Sequence, residues 1–158
     1  MSKPSPSRPL ALLPLVALLL ACSGTDPDGA TVHVGIAGDD AMKFDRSVIE
    51  VPAGATVVLT LQHTGVLPVS SMGHNVVVLL PDTDLDRFAR SAARASTTDY
   101  IPPNMRDQVV AHTRMLGGGE SDTIRFPAPA PGTYPFLCSF PGHYLAMRGT
   151  PQPVAVER

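Results

Sequence analysis

From residue 31 onward the apolar residues of this chain recur at every second position, and that period limits the possible folds more than any other feature. Val32, Val34 and Ile36 share one face of a first segment, and Val57, Leu59 and Leu61 share one face of another beyond the Pro52-Ala53-Gly54 turn. Ile124 and Phe126 repeat the alternation, as do Tyr134, Phe136 and Cys138, which aims the Cys138 thiol to the same side as the aromatic rings. Residues 76–80 are a continuous apolar run and read as a buried strand. Short strands between turn residues, an aromatic content of only 5% and no long helical pattern predict an all-β, antiparallel sandwich. The last strand, near residues 149–156, carries Pro151 and Pro153. Their missing N–H groups face one neighbour, so that side should be an open edge or a bulge.

One short helix is expected to interrupt the strands. Leu85, Phe88, Ala92 and Ala95 fall on one helical face, Asp82 or Thr83 can cap the start, and Asp84 and Asp86 sit where the macrodipole favours negative charge. Arg87, Arg90 and Arg94 form a second stripe that suits either an acidic partner or plain solvation.

The N-terminus has the layout of an export signal rather than of a fold element. Lys3 and Arg8 precede an apolar stretch over residues 9–21, which is short for a bilayer span, and Cys22 follows at once. Leu19-Leu20-Ala21-Cys22 resembles a bacterial lipobox, which would make residues 1–21 a lipoprotein signal peptide and Cys22 the lipidated residue. An ordinary signal cleaved near Ala21 is the alternative. Residues 22–30 are rich in turn formers and read as a tether; at about 3.5 Å per extended residue it would reach roughly 30 Å. Residues 31–158 are then one domain, large enough to hold a core without a cofactor. Loss of the leader removes two of the 12 basic residues and none of the 14 acidic ones, and a mildly acidic domain is a poor nucleic-acid binder.

The chemistry concentrates in residues 138–147, C-S-F-P-G-H-Y-L-A-M. The thiol of Cys138, the imidazole of His143 and the thioether of Met147 lie in one loop folded back at Pro141-Gly142, and upstream the run Met72-Gly73-His74-Asn75 offers a second imidazole. Sulfur donors with imidazole suit copper, whereas magnesium and calcium want oxygen. Two His, one Cys and a distant Met is a blue-copper set, although zinc also accepts thiolate and imidazole.

The motifs M-G-H-N and C-x-F-P-G-H-x-x-x-M resemble the azurins of the cupredoxin family, as do residues 38–44, G-D-D-A-M-K-F, and residues 111–122. The likeness runs from about residue 31 to residue 156. It implies a Greek-key β-sandwich with a helical flap, one type 1 copper ion held by His74, Cys138 and His143, a weak axial Met147, and the Gly73 carbonyl opposite. It also implies that Asn75 steadies the copper loop, and that His63 and His112 are not ligands; His33, in the first strand, is not assigned to metal either. Azurins usually carry a disulfide near the positions of Val32 and Gly54. With only two Cys, both otherwise engaged, this chain departs from the family and lacks a constraint commonly worth about 2 to 4 kcal/mol.

The function these features imply is single-electron transfer between exported redox proteins, such as c-type cytochromes or terminal reductases, by a protein lipid-anchored in the bacterial cell envelope and facing the periplasm or cell surface. Leu67, Met72, Phe140 and Pro141 are expected to surround His143 as an exposed apolar docking patch. The alternative is a module that buffers or delivers copper without redox cycling. No acid–base pair accompanies the ligands, so an enzyme is not expected.

Overall fold

The computed structural model describes Met1 and residues 30–154, with the backbone alone for residues 151–154. The expected signal peptide, most of the tether and Cys22 lie outside the described residues. In chain order the strands are β1 (Thr31–Asp39), β2 (Lys43–Phe44), β3 (Val48–Pro52), β4 (Thr56–His63), β5 (Val77–Leu79), β6 (Val109–His112), β7 (Ser121–Pro127), β8 (Phe136–Leu137) and β9 (Arg148–Val154). They form two sheets, ordered β2-β1-β4-β7 and β3-β9-β8-β5-β6, which face each other as an all-β Greek-key sandwich. Among the described residues no helix is long and apolar enough to cross a membrane.

The sandwich is mixed rather than antiparallel throughout. β1 and β4 run parallel from the Thr31–Thr56 pair to Gly38–His63, and β3 and β9 are parallel as well. A parallel pair needs a crossover, and the chain supplies it by leaving the first sheet: β2 folds back on β1, β3 joins the other sheet, and β4 re-enters beside β1 in the same direction. Local periodicity carries no information about that excursion.

Two cores share the second sheet. Between the sheets Ile36, Leu59, Leu61, Val76, Val78, Phe136, Cys138 and Met147 are buried together. On the sheet's outer side Val77, Leu79 and Leu137 pack under a flap that contributes Phe88, Ala92, Ile101 and Met105. Residues 76–79 are therefore buried on both faces, which is why their sequence is apolar without alternation. Leu80, at the end of that run, is 41% exposed. Gly149 is obligatory where β9 meets β8, since a side chain there would overlap the Phe136 ring and the Ser47 carbonyl.

The flap holds the expected helix, α2 (Leu85–Ala92), but its cap is Asp84 rather than Asp82 or Thr83. The Asp84 carboxylate accepts from Arg87 N at 2.9 Å, while Thr83 donates to the Leu80 carbonyl and Asp82 sits at a φ of 64°. Ala95 lies beyond the helix end yet remains buried, its carbonyl accepting from Thr98 and Tyr100. The sequence reading missed a short helix, α1 (Val69–Met72), and three 3₁₀ turns, at Ser96–Thr98, Pro103–Gln108 and His143–Leu145. At the far end of the chain, Thr150 N donates to Ser47 O, so the Pro151 and Pro153 nitrogens face away from β3. β8 reaches only Arg148 and Gly149 on that side, which leaves the expected opening in the ladder.

Phe88 is fully buried in the outer core, a cluster that contains none of His74, Cys138, His143 and Met147. Phe88→Ala should cost about 3 to 5 kcal/mol of unfolding free energy in denaturant titration, with the domain still able to take up metal at 25 °C.

Candidate metal centre

Cys138 follows directly on β8, whose alternation sends Leu137 to the outer core and Cys138 inward, where it is fully buried. After it the chain turns at Gly142, whose φ of 84° suits a residue without Cβ, and enters the His143–Leu145 turn. The loop closes on itself: His143 N donates to Phe140 O, Met147 N to His143 O at 2.8 Å, and Cys138 N to Met147 O at 2.9 Å. His74 arrives from the other side, held by a two-bond bridge to Leu116.

These segments bring His74, Cys138 and His143 together, with one ligand atom from each within 4.8 Å of the others. His74 Nδ1 lies 4.0 Å from Cys138 Sγ, and His143 Nδ1 3.7 Å. Metal bonds of about 2.0 Å to nitrogen and 2.3 Å to sulfur, opened to about 120°, separate the donors by about 3.7 Å. The preformed spacing therefore fits one first-row ion in a trigonal plane. The Gly73 carbonyl oxygen lies 3.6 Å from Sγ. Gly73 can carry nothing larger, because a Cβ would press on Phe140, Met115 and the Val69 carbonyl. Met147 is fully buried; its terminal methyl and the His74 ring share the space above Gly38, where a Cβ would come within 3.2 and 3.0 Å of them.

Hydrogen bonds around the site set its protonation. The His74 ring donates through Nε2 to the Asp39 carbonyl at 2.9 Å, which keeps the proton off Nδ1 and aims that lone pair at the thiol. Burial holds the His74 pKa below its ordinary value and drives that of His143 down to about 4, with the nearby His74 adding to the shift. Burial also pushes the Cys138 thiol up to about 11, while the Asn75 and Phe140 backbone N–H groups pull it back. Two neutral imidazoles and a proton-bearing thiol form a donor set that only a cation converts to its binding form.

Asn75 ties the two ligand segments together. Its side-chain oxygen accepts from Ser139 N at 2.8 Å, and its Nδ2 donates to Ser139 Oγ at 2.8 Å and to the Asp99 carbonyl at 3.3 Å. His63 lies outside the three-residue cluster, and it supports the site in a way not expected from the sequence. Its ring stacks on His74 at 4.2 Å between centroids and 18° between planes, accepts Gly65 N–H at Nδ1 and donates from Nε2 to Met72 O. The signal was present, since His63 continues the inward series Val57, Leu59, Leu61. His112 and His33 are not among the clustered residues, and His33 is exposed.

The rim of the site differs from the expected patch. Leu67 is 40% exposed and Pro141 is exposed, but Met72 and Phe140 are half-buried. Phe140 is wedged between the rings of Tyr100 (5.3 Å) and His143 (4.7 Å). Val66 at 86%, Leu145 at 66% and Val69 at 44% are the more exposed apolar residues there. They sit in a loop, a 3₁₀ turn and the one-turn helix α1, none of which a periodicity announces. His143 itself is only 4% exposed.

A Greek-key sandwich that buries a cysteine between two imidazoles at one end defines the cupredoxin class of copper proteins. Residues 30–156 match the family described as copper binding proteins, plastocyanin/azurin family. The chain is 38% identical over 136 residues to azurin of Bordetella pertussis, covering 84% of this chain and 90% of that one. It is 40% identical over 117 residues to outer membrane protein H.8 of Neisseria gonorrhoeae, covering 72% of this chain and 63% of that protein. Reduced auracyanin of Roseiflexus castenholzii superposes with a TM-score of 0.70 at 34% identity, covering 82% of this chain and all of that one. This chain belongs to the plastocyanin/azurin family of copper-binding proteins. Its cofactor is one copper ion, and the site supports copper-based electron transfer.

The protonation states carry a measurable consequence. With the thiol at about 11 and His143 at about 4, the metal-free site at pH 7 holds one proton that a bound ion must displace, the one on the Cys138 thiol. Metal binding at pH 7 should therefore release close to one proton per ion, read by calorimetry in buffers of different ionisation enthalpy. Release near zero or near two would contradict these assignments.

Proposed function

We propose that this protein is a lipid-anchored carrier that passes single electrons between exported redox proteins. The observation that carries the reading is the convergence of two imidazole Nδ1 atoms on a buried thiol beside an exposed apolar rim. Copper would be held by His74, Cys138 and His143, with the Met147 thioether and the Gly73 carbonyl as further donors. Bound copper supplies the one-electron couple. The chain's own residues keep the donors still: the Asp39 carbonyl fixes the His74 ring, Asn75 locks the loop beside Cys138, and the sandwich on either side resists expansion. A donor set held at one spacing through both charge states needs little rearrangement, which favours fast outer-sphere transfer. Complete burial of His74 and Cys138 argues for cycling over delivery, because handing over an ion would require the loop to open. No substrate chemistry is assigned to the site.

Electrons leave through the His143 side, where Leu67, Met72, Phe140 and Pro141, widened by Val66, Val69 and Leu145, exclude water against a partner such as a c-type cytochrome or terminal reductase. Leu67→Glu should slow electron self-exchange by about tenfold or more while leaving the blue absorption in place, since docking would strand the new charge without water. The effect should persist at high salt, where a long-range charge effect fades. An unchanged rate would move the exit to another face.

Anchoring through Cys22 is supported by the residue order of the leader and by the likeness to a protein named for the outer membrane. Cys22→Ser should shift the protein from the membrane fraction to the soluble fraction and abolish the added lipid mass of the wild type. A variant that stays with membranes, from a wild type without lipid mass, would remove the anchor.

A further inference from the structure

We propose that Asp40 is a positioning residue for electron exchange: its carboxylate clamps the loop that carries Val66 and Leu67. The inference rests on the docking edge proposed above and names what holds that edge in place. Asp40 follows β1 and is half-buried, and each of its carboxylate oxygens takes one backbone N–H of consecutive loop residues, Val66 N at 2.8 Å and Leu67 N at 3.4 Å. Among the described residues it forms no ion pair, so those amides are its partners. Gly65 comes so close that any Cβ would overlap the Asp40 carboxylate, which makes glycine a condition of the clamp. The loop's other ties are Thr64 N to Gly38 O at 2.8 Å, the Thr64 hydroxyl to the same carbonyl at 3.0 Å, Gly65 N to His63 Nδ1 at 3.1 Å, and Gly118 N to Leu67 O at 2.8 Å.

The position of Asp40 gives the clamp its significance. Gly38 lies against the His74 ring and Met147, the Asp39 carbonyl fixes His74 Nε2, and Asp40 fixes the loop. Three consecutive residues thus brace the copper ligand on one side and the most exposed apolar side chain of the rim, Val66, on the other. Docking buries an edge that is already ordered, so no ordering entropy is lost at that moment. Without the carboxylate the two amides turn to water and the loop must be ordered at each encounter.

The test uses the mature copper-loaded protein, with exchange followed by rapid-freeze resonance spectroscopy between copies loaded with different copper isotopes. One electron leaves the Cu(I) copy and reduces the Cu(II) copy, and no proton moves. Asp40→Ala should slow exchange about tenfold when one copy carries the substitution, which is 1.4 kcal/mol. With both copies substituted the slowing should be about the square of that, because each contributes one edge. Blue absorption and reduction potential should stay at wild-type values. In metal-free Asp40→Ala the Val66 and Leu67 amides should lose hydrogen-exchange protection, and Asp40→Asn, which keeps one acceptor, should restore part of both effects. A shift in potential would place the action of Asp40 on His74 and overturn the clamp. So would unchanged exchange in Asp40→Ala alongside slowed exchange in Leu67→Glu. Unchanged exchange in both variants would overturn the docking edge itself, and the clamp's role with it.

Discussion

The structure depends on a cross-tie between two segments far apart in sequence. Asn75 and Ser139, 64 residues apart, exchange hydrogen bonds through a backbone N–H, a hydroxyl and both ends of an amide. Each sits next to a ligand, His74 or Cys138, so the tie sets the distance between imidazole and thiol. Because the tie is fully buried, breaking it leaves unpaired polar groups in apolar surroundings, and its geometry is correspondingly stiff. No buried side-chain nitrogen or oxygen lacks a partner among the described residues, so this rigidity is obtained without stranded polar groups.

The same tie joins the copper end to the flap. Asn75 Nδ2 also reaches the Asp99 carbonyl, and the next residue, Tyr100, places its ring on Phe140. Asp99 and Tyr100 both have positive φ, at 53° and 58°, a conformation costly for side-chain-bearing residues. The burial of Ile101 and of Phe88, both on the underside of the flap, offsets that cost. The outer core therefore bears on the site indirectly, by holding a strained turn where its carbonyl and ring are needed.

A metal site of this kind carries tension before any ion is bound. Burial that keeps both imidazoles neutral also keeps the thiol protonated, so the fold prepares nitrogen lone pairs but resists a thiolate. The cation resolves that opposition, and the fold need not move to accept it, since the donors already stand at bonding separation.

Much of the fold and of the ligand set is legible in the chain itself. Period-two alternation marks which face of each strand is apolar, because side chains alternate across a strand whatever it pairs with. The spacing within residues 138–147 places Cys138, His143 and Met147 in one loop because short-range geometry leaves them nowhere else to go. The helix face through Leu85, Phe88 and Ala92 is likewise local. Only the tertiary structure decided the parallel pairing of β1 with β4, the meeting of Gly38, Asp39 and Asp40 with His74 and the 65–67 loop, and the stacking of His63 on His74. It also decided that Phe140 is half-buried while Val66 and Leu145 form the rim. These are contacts between segments whose own patterns are unchanged by the partner they find. The sequence by itself determined which residues must turn inward and which donors a loop can gather, because local geometry dictates both; which segments meet was settled only when the sheets closed on each other.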